Sequence, residues 1–200
     1  PTGMEIPLWQ IQEILKTNPD SVVVIDEAYV DFGGTSCYKL IENYDNLLVV
    51  RTFSKSRCLA GARLGYAFGS PELIEDLEKL KYSTNPYNVN RLTMMLGCKT
   101  VDAEPYYREV SEKIQSARVW AVEALDNLGF QVLPSKANFI FARHPAVSGA
   151  ELYTGLRQRG ILVRHFTKER IKDFVRITIG TQAQMESLVD ALKKMTGGAK

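Results

Sequence analysis

The sequence predicts an α/β fold, with a mostly parallel sheet layered by helices in its first part and a smaller α+β domain after it. Three observations carry that prediction. "SVVVIDEAYVDF" and "NLLVVRTF" hold continuous aliphatic runs of the kind seen in strands buried on both faces of a parallel sheet. Helical patterns of ten or more residues alternate with these runs, the signature of α/β layers. Beyond Gly129 the elements shorten into a mixed order of strands and helices. The domain boundary is expected near residues 103–115, giving domains 1–104 and 105–200.

Each element has a local reason. Pro7 suits a first helical turn, and Leu8, Ile11 and Leu15 repeat at helical spacing until Asn18-Pro19 ends the pattern. Val22 to Ile25 form the first strand, which closes in acid at Asp26 and Glu27. "NLLVVRTF" is the second strand and "LGYAFG" the third, after which Pro71 opens the helix "PELIEDLEKLKY". "NPYNVN" is turn chemistry. "VNRLTMMLGCKT" then reads as a buried helix with Met94 and Met95 in the core, and a long amphipathic helix covers 104 to about 128. The strands "FQVL", "NFIFAR", "ILVRHF" and "FVRITIG" follow, with helices over "GAELYTGLRQRG" and "QAQMESLVDALKKM". The final "GGAK" reads as a frayed end.

Composition narrows the function. The net charge of +2 arises from 25 basic and 23 acidic residues spread along the chain, so no basic block marks a nucleic-acid footprint. No apolar run nears the roughly 20 residues that span a bilayer. Cys37, Cys58 and Cys98 are odd in number and widely spaced, which fits neither a disulfide framework nor a zinc site and points to a reducing, cytoplasmic setting. The opening Pro-Thr-Gly without methionine suggests that part of a longer protein is missing. A small-molecule partner is expected, with no metal.

The chemistry gathers at strand ends. Asp26 and Glu27 end a buried strand, where open α/β sheets place ligand crevices. An apolar strand ending in Asp-Glu also resembles the magnesium-holding strand of a nucleotide triphosphatase, yet the chain contains no G-x-x-x-x-G-K-[ST] phosphate loop. A strand-end cap accounts equally well for an isolated Asp26. Lys55, in "RTFSKSRCLAGARLGY", ends the next strand. Thr52, Ser54 and Arg63 beside it can converge on one phosphate, with hydroxyl donors and a fixed bidentate cation. A lysine amine next to a phosphate-bearing aldehyde, with an aspartate for a ring nitrogen, is how proteins hold pyridoxal phosphate. Tyr29 is then placed to donate to the ring oxygen.

Four segments taken together resemble one family. "PTG" at 1–3, "IDEAYVDF", "TFSKSRCLAGARLGY" and "VRITIGT" resemble, in order, motifs of the fold-type I pyridoxal-phosphate aminotransferases, and most closely the histidinol-phosphate branch. The resemblance implies the aspartate aminotransferase-like fold, with 1–104 as the second half of the large cofactor-binding domain and 105–200 as the small domain. It implies Lys55 as the catalytic Schiff-base lysine, Asp26 on the pyridine nitrogen, Tyr29 on the ring oxygen, and Thr52, Ser54 and Arg63 on the phosphate. Arg176 matches the arginine that grips the substrate's acidic group, and Arg164 the second arginine that helps to bind substrate phosphate. The implied activity is transfer of an amino group between L-histidinol phosphate and 2-oxoglutarate, in histidine biosynthesis, by a cytoplasmic homodimer. A fragment lacking the first half of the large domain is expected to be inactive alone. The rival readings are a threonine-phosphate decarboxylase or aromatic-amino-acid aminotransferase of the same fold and, from other classes, a nucleotide triphosphatase or a noncatalytic ligand-binding module. Tyr87, Asn88, Asn138 and His165 lie near positions that shape the family's pocket, and turn, cap or strand-start roles explain them as well.

Overall fold

The structure, a computed structural model, describes residues 1–197. Gly198 to Lys200, most of the end expected to fray, lie outside the described residues. The chain forms two compact units, one of residues 6–109 and one that joins 1–5 to 110–200. The expected division at 104/105 leaves out the opening five residues. They join the later unit because the Lys136 N–H donates to the Gly3 carbonyl at 2.8 Å. Gly3 has φ +77°, and a Cβ there would meet Ser135 Oγ at 2.5 Å, so only glycine fits that approach.

In the unit of residues 6–109, α1 (Leu8–Thr17) precedes a sheet of order β1-β2-β3, made of β1 (Val23–Asp26), β2 (Leu47–Thr52) and β3 (Gly65–Phe68). β1 runs parallel to β2, and β3 returns antiparallel. Pro7 is the N-cap of α1, one position earlier than the sequence predicts. Ile11 and Leu15 of α1 pack with Cys37, Leu47 and Val49 into one core. Burial of β1 on both faces does not hold: Val22 and Val24 are more than half exposed, because α1 covers one face of the sheet and the described residues leave the other open.

α2 (Pro71–Thr84) starts at Ser70, whose hydroxyl accepts from the Leu73 N–H, with Pro71 at N1 as the sequence predicts. α3 (Arg91–Asp102) departs from expectation. Its buried stripe is Thr93, Gly97 and Thr100, while Leu92, Met94, Met95 and Leu96 face outward, so Met94 and Met95 are not core residues. The small stripe wins because Gly97 lies against Leu64, whose Cδ2 would meet an added Cβ at 2.6 Å.

The chain passes into the second unit within α4 (Glu104–Asp126). That unit is an antiparallel sheet of order β4-β5-β7-β6, formed by β4 (Gln131–Leu133), β5 (Phe139–Arg143), β6 (Arg164–His165) and β7 (Val175–Thr178). α5 (Gly149–Gln158) and α6 (Gln182–Met195) complete it. Ala121 and Leu125 of α4, Leu152 and Leu156 of α5, and Leu188 and Leu192 of α6 close over Ile140, Val175 and Ile177. The alternation of β7, with Val175 and Ile177 inward, leaves Arg176 on the opposite face. No described helix is long and apolar enough to cross a membrane.

Candidate active site

The parallel pairing of β1 with β2 sets Asp26 level with Val50 and brings both carboxyl ends to the same edge of the sheet. Asp26 Oδ1 accepts from the Ala28 N–H at 2.9 Å, which turns the chain after the strand and accounts for the strand-end cap foreseen for an isolated acid. Tyr29 follows in this turn, before a short 3-10 turn at Val30–Phe32. Lys55 Nζ lies 5.3 Å from the centre of the Tyr29 ring. The Lys55 side chain is exposed, and among the described residues it has no ion-pair partner. An amine over a phenol ring, three residues past the strand-end carboxylate of Asp26, is thereby assembled from two segments far apart in sequence.

Thr52 and Ser54 form the approach to Lys55. Thr52 Oγ1 accepts from the Ser54 N–H at 3.0 Å and reaches the Leu64 carbonyl at 3.4 Å, so the strand turns sharply as it leaves the sheet. Arg63 sits in the left-handed region at φ 53° and donates to the Ala60 carbonyl at 3.0 Å. Cys58, at φ 55°, shares that conformation. Two non-glycine residues in this region carry strain of roughly 1–3 kcal/mol each, held by the fold around them. They bracket the small-residue turn 59–62 that brings Arg63 back toward the strand end.

A network beneath this edge went unread in the sequence beyond the presence of Glu27. Glu27 is buried, and its Oε1 accepts from the Cys37 N–H at 2.7 Å. Its Oε2 accepts from Ser36 Oγ at 2.7 Å and from Arg51 Nε at 2.9 Å. Arg51 also donates to Ser36 Oγ at 2.6 Å. Burial pulls the Arg51 guanidinium down, but the bonds to Tyr66 and Glu27 more than offset it and hold it above its usual value. Burial first, then the neighbouring Glu27, pushes the Cys37 thiol up to about 12. A second contact joins the Ser56 hydroxyl to the Asp31 carboxylate. The available signal was the set of further polar residues, Glu27, Asp31, Arg51 and Ser56, beside the candidate residues in "DEAYVD" and "RTFSKS".

In the second unit, Arg164 stands directly opposite Arg176 in the β6–β7 register. Their guanidiniums rest over the rings of Phe166 at 5.7 Å and Phe139 at 5.0 Å. His165 is tied to the Lys172 carbonyl by its Nε2 at 2.7 Å, a structural role. The Asn138 carbonyl accepts from the Ile179 N–H at 2.9 Å, the strand-start role. Asn88 Oδ1 accepts from Lys81 Nζ at 2.7 Å, and Tyr87 is exposed.

The strand-end amine, carboxylate and hydroxyls on a parallel pair, followed by an antiparallel small unit, define the fold-type I class of pyridoxal-phosphate enzymes. The family profile "Aminotransferase class I and II" matches residues 1–192, and the chain belongs to that family. Pyridoxal 5'-phosphate is the cofactor of this family. "Histidinol-phosphate aminotransferase 2" of Dechloromonas aromatica is 50% identical over 197 residues, covering 98% of this chain and 55% of the relative. The histidinol-phosphate aminotransferase of Syntrophus aciditrophicus is 52% identical over 196 residues, covering 98% and 54%. The chain thus spans about half the length of the curated relatives it matches. Among solved structures, the histidinol-phosphate aminotransferase of Clostridium acetobutylicum superposes with a TM-score of 0.88 at 28% identity, covering 98% of this chain and 61% of its own. The L-threonine-O-3-phosphate decarboxylase of Porphyromonas gingivalis gives 0.84 at 26% identity, covering 98% and 62%.

The donor set fits the cofactor. Lys55 offers an amine with no ion-pair partner among the described residues, Asp26 a carboxyl group for a ring nitrogen, and Thr52, Ser54 and Arg63 hydroxyls and a guanidinium of the kind a phosphate requires.

Proposed function

We propose that the whole protein is a histidinol-phosphate aminotransferase, moving an amino group between L-histidinol phosphate and 2-oxoglutarate. The observation that carries this reading is the placement of Arg164 opposite Arg176. Like charges directly across a strand pair are destabilising, so two facing guanidiniums favour a site whose ligand is an anion. Relatives of about 50% identity that bear this enzyme's name support the same substrate.

When bound, pyridoxal 5'-phosphate supplies an electron sink for charge developing at the substrate α-carbon. Asp26 would hold a proton at the ring nitrogen, and the Tyr29 hydroxyl would donate to the ring oxygen. Thr52, Ser54 and Arg63 bind the phosphate and so fix the ring's orientation. Lys55 Nζ would hold the cofactor and would move the proton at the substrate α-carbon as general base and acid. Arg164 and Arg176 bind the substrate's phosphate and, in the second half of the cycle, a carboxylate of the dicarboxylic partner.

The reading extends to a cytoplasmic homodimer. Free cysteines suit a reducing setting, and outward Leu92, Met95 and Leu96 on α3 suit a covered surface. Light scattering on the full-length protein should return twice the chain mass.

Borohydride reduction of the full-length protein with pyridoxal 5'-phosphate, followed by peptide mapping, is expected to place the adduct on Lys55. Lys55→Ala is expected to abolish transamination while leaving the thermal melt in place, and undiminished turnover would end the proposal. Phosphothreonine is the competing substrate, because the decarboxylase structure is similar and a paired-arginine site suits any phosphorylated amine. Carbon dioxide release from phosphothreonine, without amino transfer from histidinol phosphate, would reassign the enzyme.

A further inference from the structure

Side-chain contacts join the segments that carry the candidate cofactor residues where the backbone ladder between β1 and β2 has ended. The pairing of β1 with β2 stops at Asp26 and Val50, and the Glu27 N–H to Val50 carbonyl bond, at 2.9 Å, is the last backbone link between the strands. Tyr29 and Lys55 lie beyond it. The chain there is held to itself, through Gly34 N–H to Val30 and Cys58 N–H to Lys55, by bonds that fix each turn without fixing one against the other. The contacts that cross between the segments include Arg51 to Glu27 at 2.9 Å, Arg51 to Ser36 at 2.6 Å, and Ser56 to Asp31. The four residues flank the candidate site residues: Glu27 and Asp31 lie on either side of Tyr29, and Arg51 and Ser56 on either side of Thr52, Ser54 and Lys55.

Building on the proposed function, we propose that Glu27–Arg51 and Asp31–Ser56 form a two-point clamp that holds Lys55 against Tyr29, making Glu27 and Asp31 positioning residues for the amine. The two points differ in character. Glu27 is buried and Arg51 half-buried, and both are further bound by Ser36 or the Cys37 N–H, so they set the separation of the strand ends. Asp31 is exposed and Ser56 is buried, so this contact ties the residue next to Lys55 to the turn that carries Tyr29. A lysine side chain has several rotatable bonds, and its Nζ is placed only as well as the backbone on either side of it. The bond of the adjacent Ser56 to Asp31 supplies that constraint from outside its own turn.

The test uses the full-length protein. Asp31→Ala is expected to weaken binding of pyridoxal 5'-phosphate by about tenfold, the scale of one lost hydrogen bond to a charged group. The borohydride-fixed adduct should also spread from Lys55 to other lysines. Asp31 is exposed, so its removal should leave the melting temperature within about 2 °C. Asp31→Asn, whose amide oxygen still accepts from Ser56, should restore both binding and adduct position. Ser56→Ala should match Asp31→Ala, and the double variant should be no worse than either, because both remove one contact. Wild-type affinity and an undispersed adduct in Asp31→Ala would overturn the clamp while leaving the proposed function standing. Failure of the wild-type protein to form an adduct on Lys55 would overturn both. A loss of affinity that Asp31→Asn does not rescue would also overturn the clamp, since it would trace to charge rather than to the contact.

Discussion

Glu27 sits in the interior because each of its carboxylate oxygens has a donor: the Cys37 N–H on one, Ser36 and Arg51 on the other. Removing Glu27 leaves the half-buried Arg51 guanidinium without its carboxylate, so Glu27→Ala is expected to cost about 1–3 kcal/mol in a urea melt. A cost below about 1 kcal/mol would show that Arg51 reaches solvent. Cys37 gives a pH test. Its thiol stands near 12 in the folded protein against 9.0 in an unperturbed cysteine, with burial as the first cause. The stabilisation is therefore complete below pH 9.0 and is lost as pH climbs toward 12, because only the unfolded chain ionises readily in that window. The fall in denaturation midpoint across that range should be smaller in Cys37→Ala, and identical curves would refute it.

At the scale of elements, α5 shows how local chemistry sets a boundary. Ser148 accepts from the Glu151 N–H, and the Glu151 carboxylate accepts in return from the Ser148 N–H and hydroxyl. These bonds, the hydroxyl's first, hold the Glu151 carboxyl below its ordinary range. That contribution is present above the ordinary value of 4.5 and is lost as pH falls below it. Ser148→Ala is expected to lower stability by about 1 kcal/mol, read from thermal melts. Gly149, the next residue, has no room for a methyl group: a Cβ would stand 2.4 Å from the Lys172 carbonyl oxygen. Gly149→Ala should therefore cost more than its helix propensity would return, about 1–3 kcal/mol net. A stabilised variant would show that the turn at Lys172, before β7, yields.

At the scale of the whole molecule, apolar surface is distributed unevenly. The unit of residues 110–200 closes around a continuous core. In the unit of residues 6–109, Leu92 is 73% exposed and Met95 59% exposed, and α2 buries no residue. The 200-residue chain is expected to bind a fluorescent apolar dye and to self-associate at micromolar concentration. The double change Leu92→Glu and Met95→Glu should reduce both without lowering the melting temperature. Unchanged dye binding would place the apolar surface elsewhere.

Much of this was open to reading from the sequence. Pro71 after Ser70, the β-branched run before Asp26, and the lysine set among hydroxyls each follow from local preference, and local preference acts over a few residues. The candidate site residues were legible because their chemistry recurs in short motifs. Tertiary structure decided the rest. Whether a helix is buried depends on what lies against it, so the apolar run at Leu92–Leu96 pointed inward on paper and outward in space. The return of β3 antiparallel to β2, the facing of Arg164 and Arg176, and the clamp of Glu27 and Asp31 onto Arg51 and Ser56 arise from pairing across 12 to 25 residues. No local propensity encodes such a pairing, because its free energy exists only once the two segments have met.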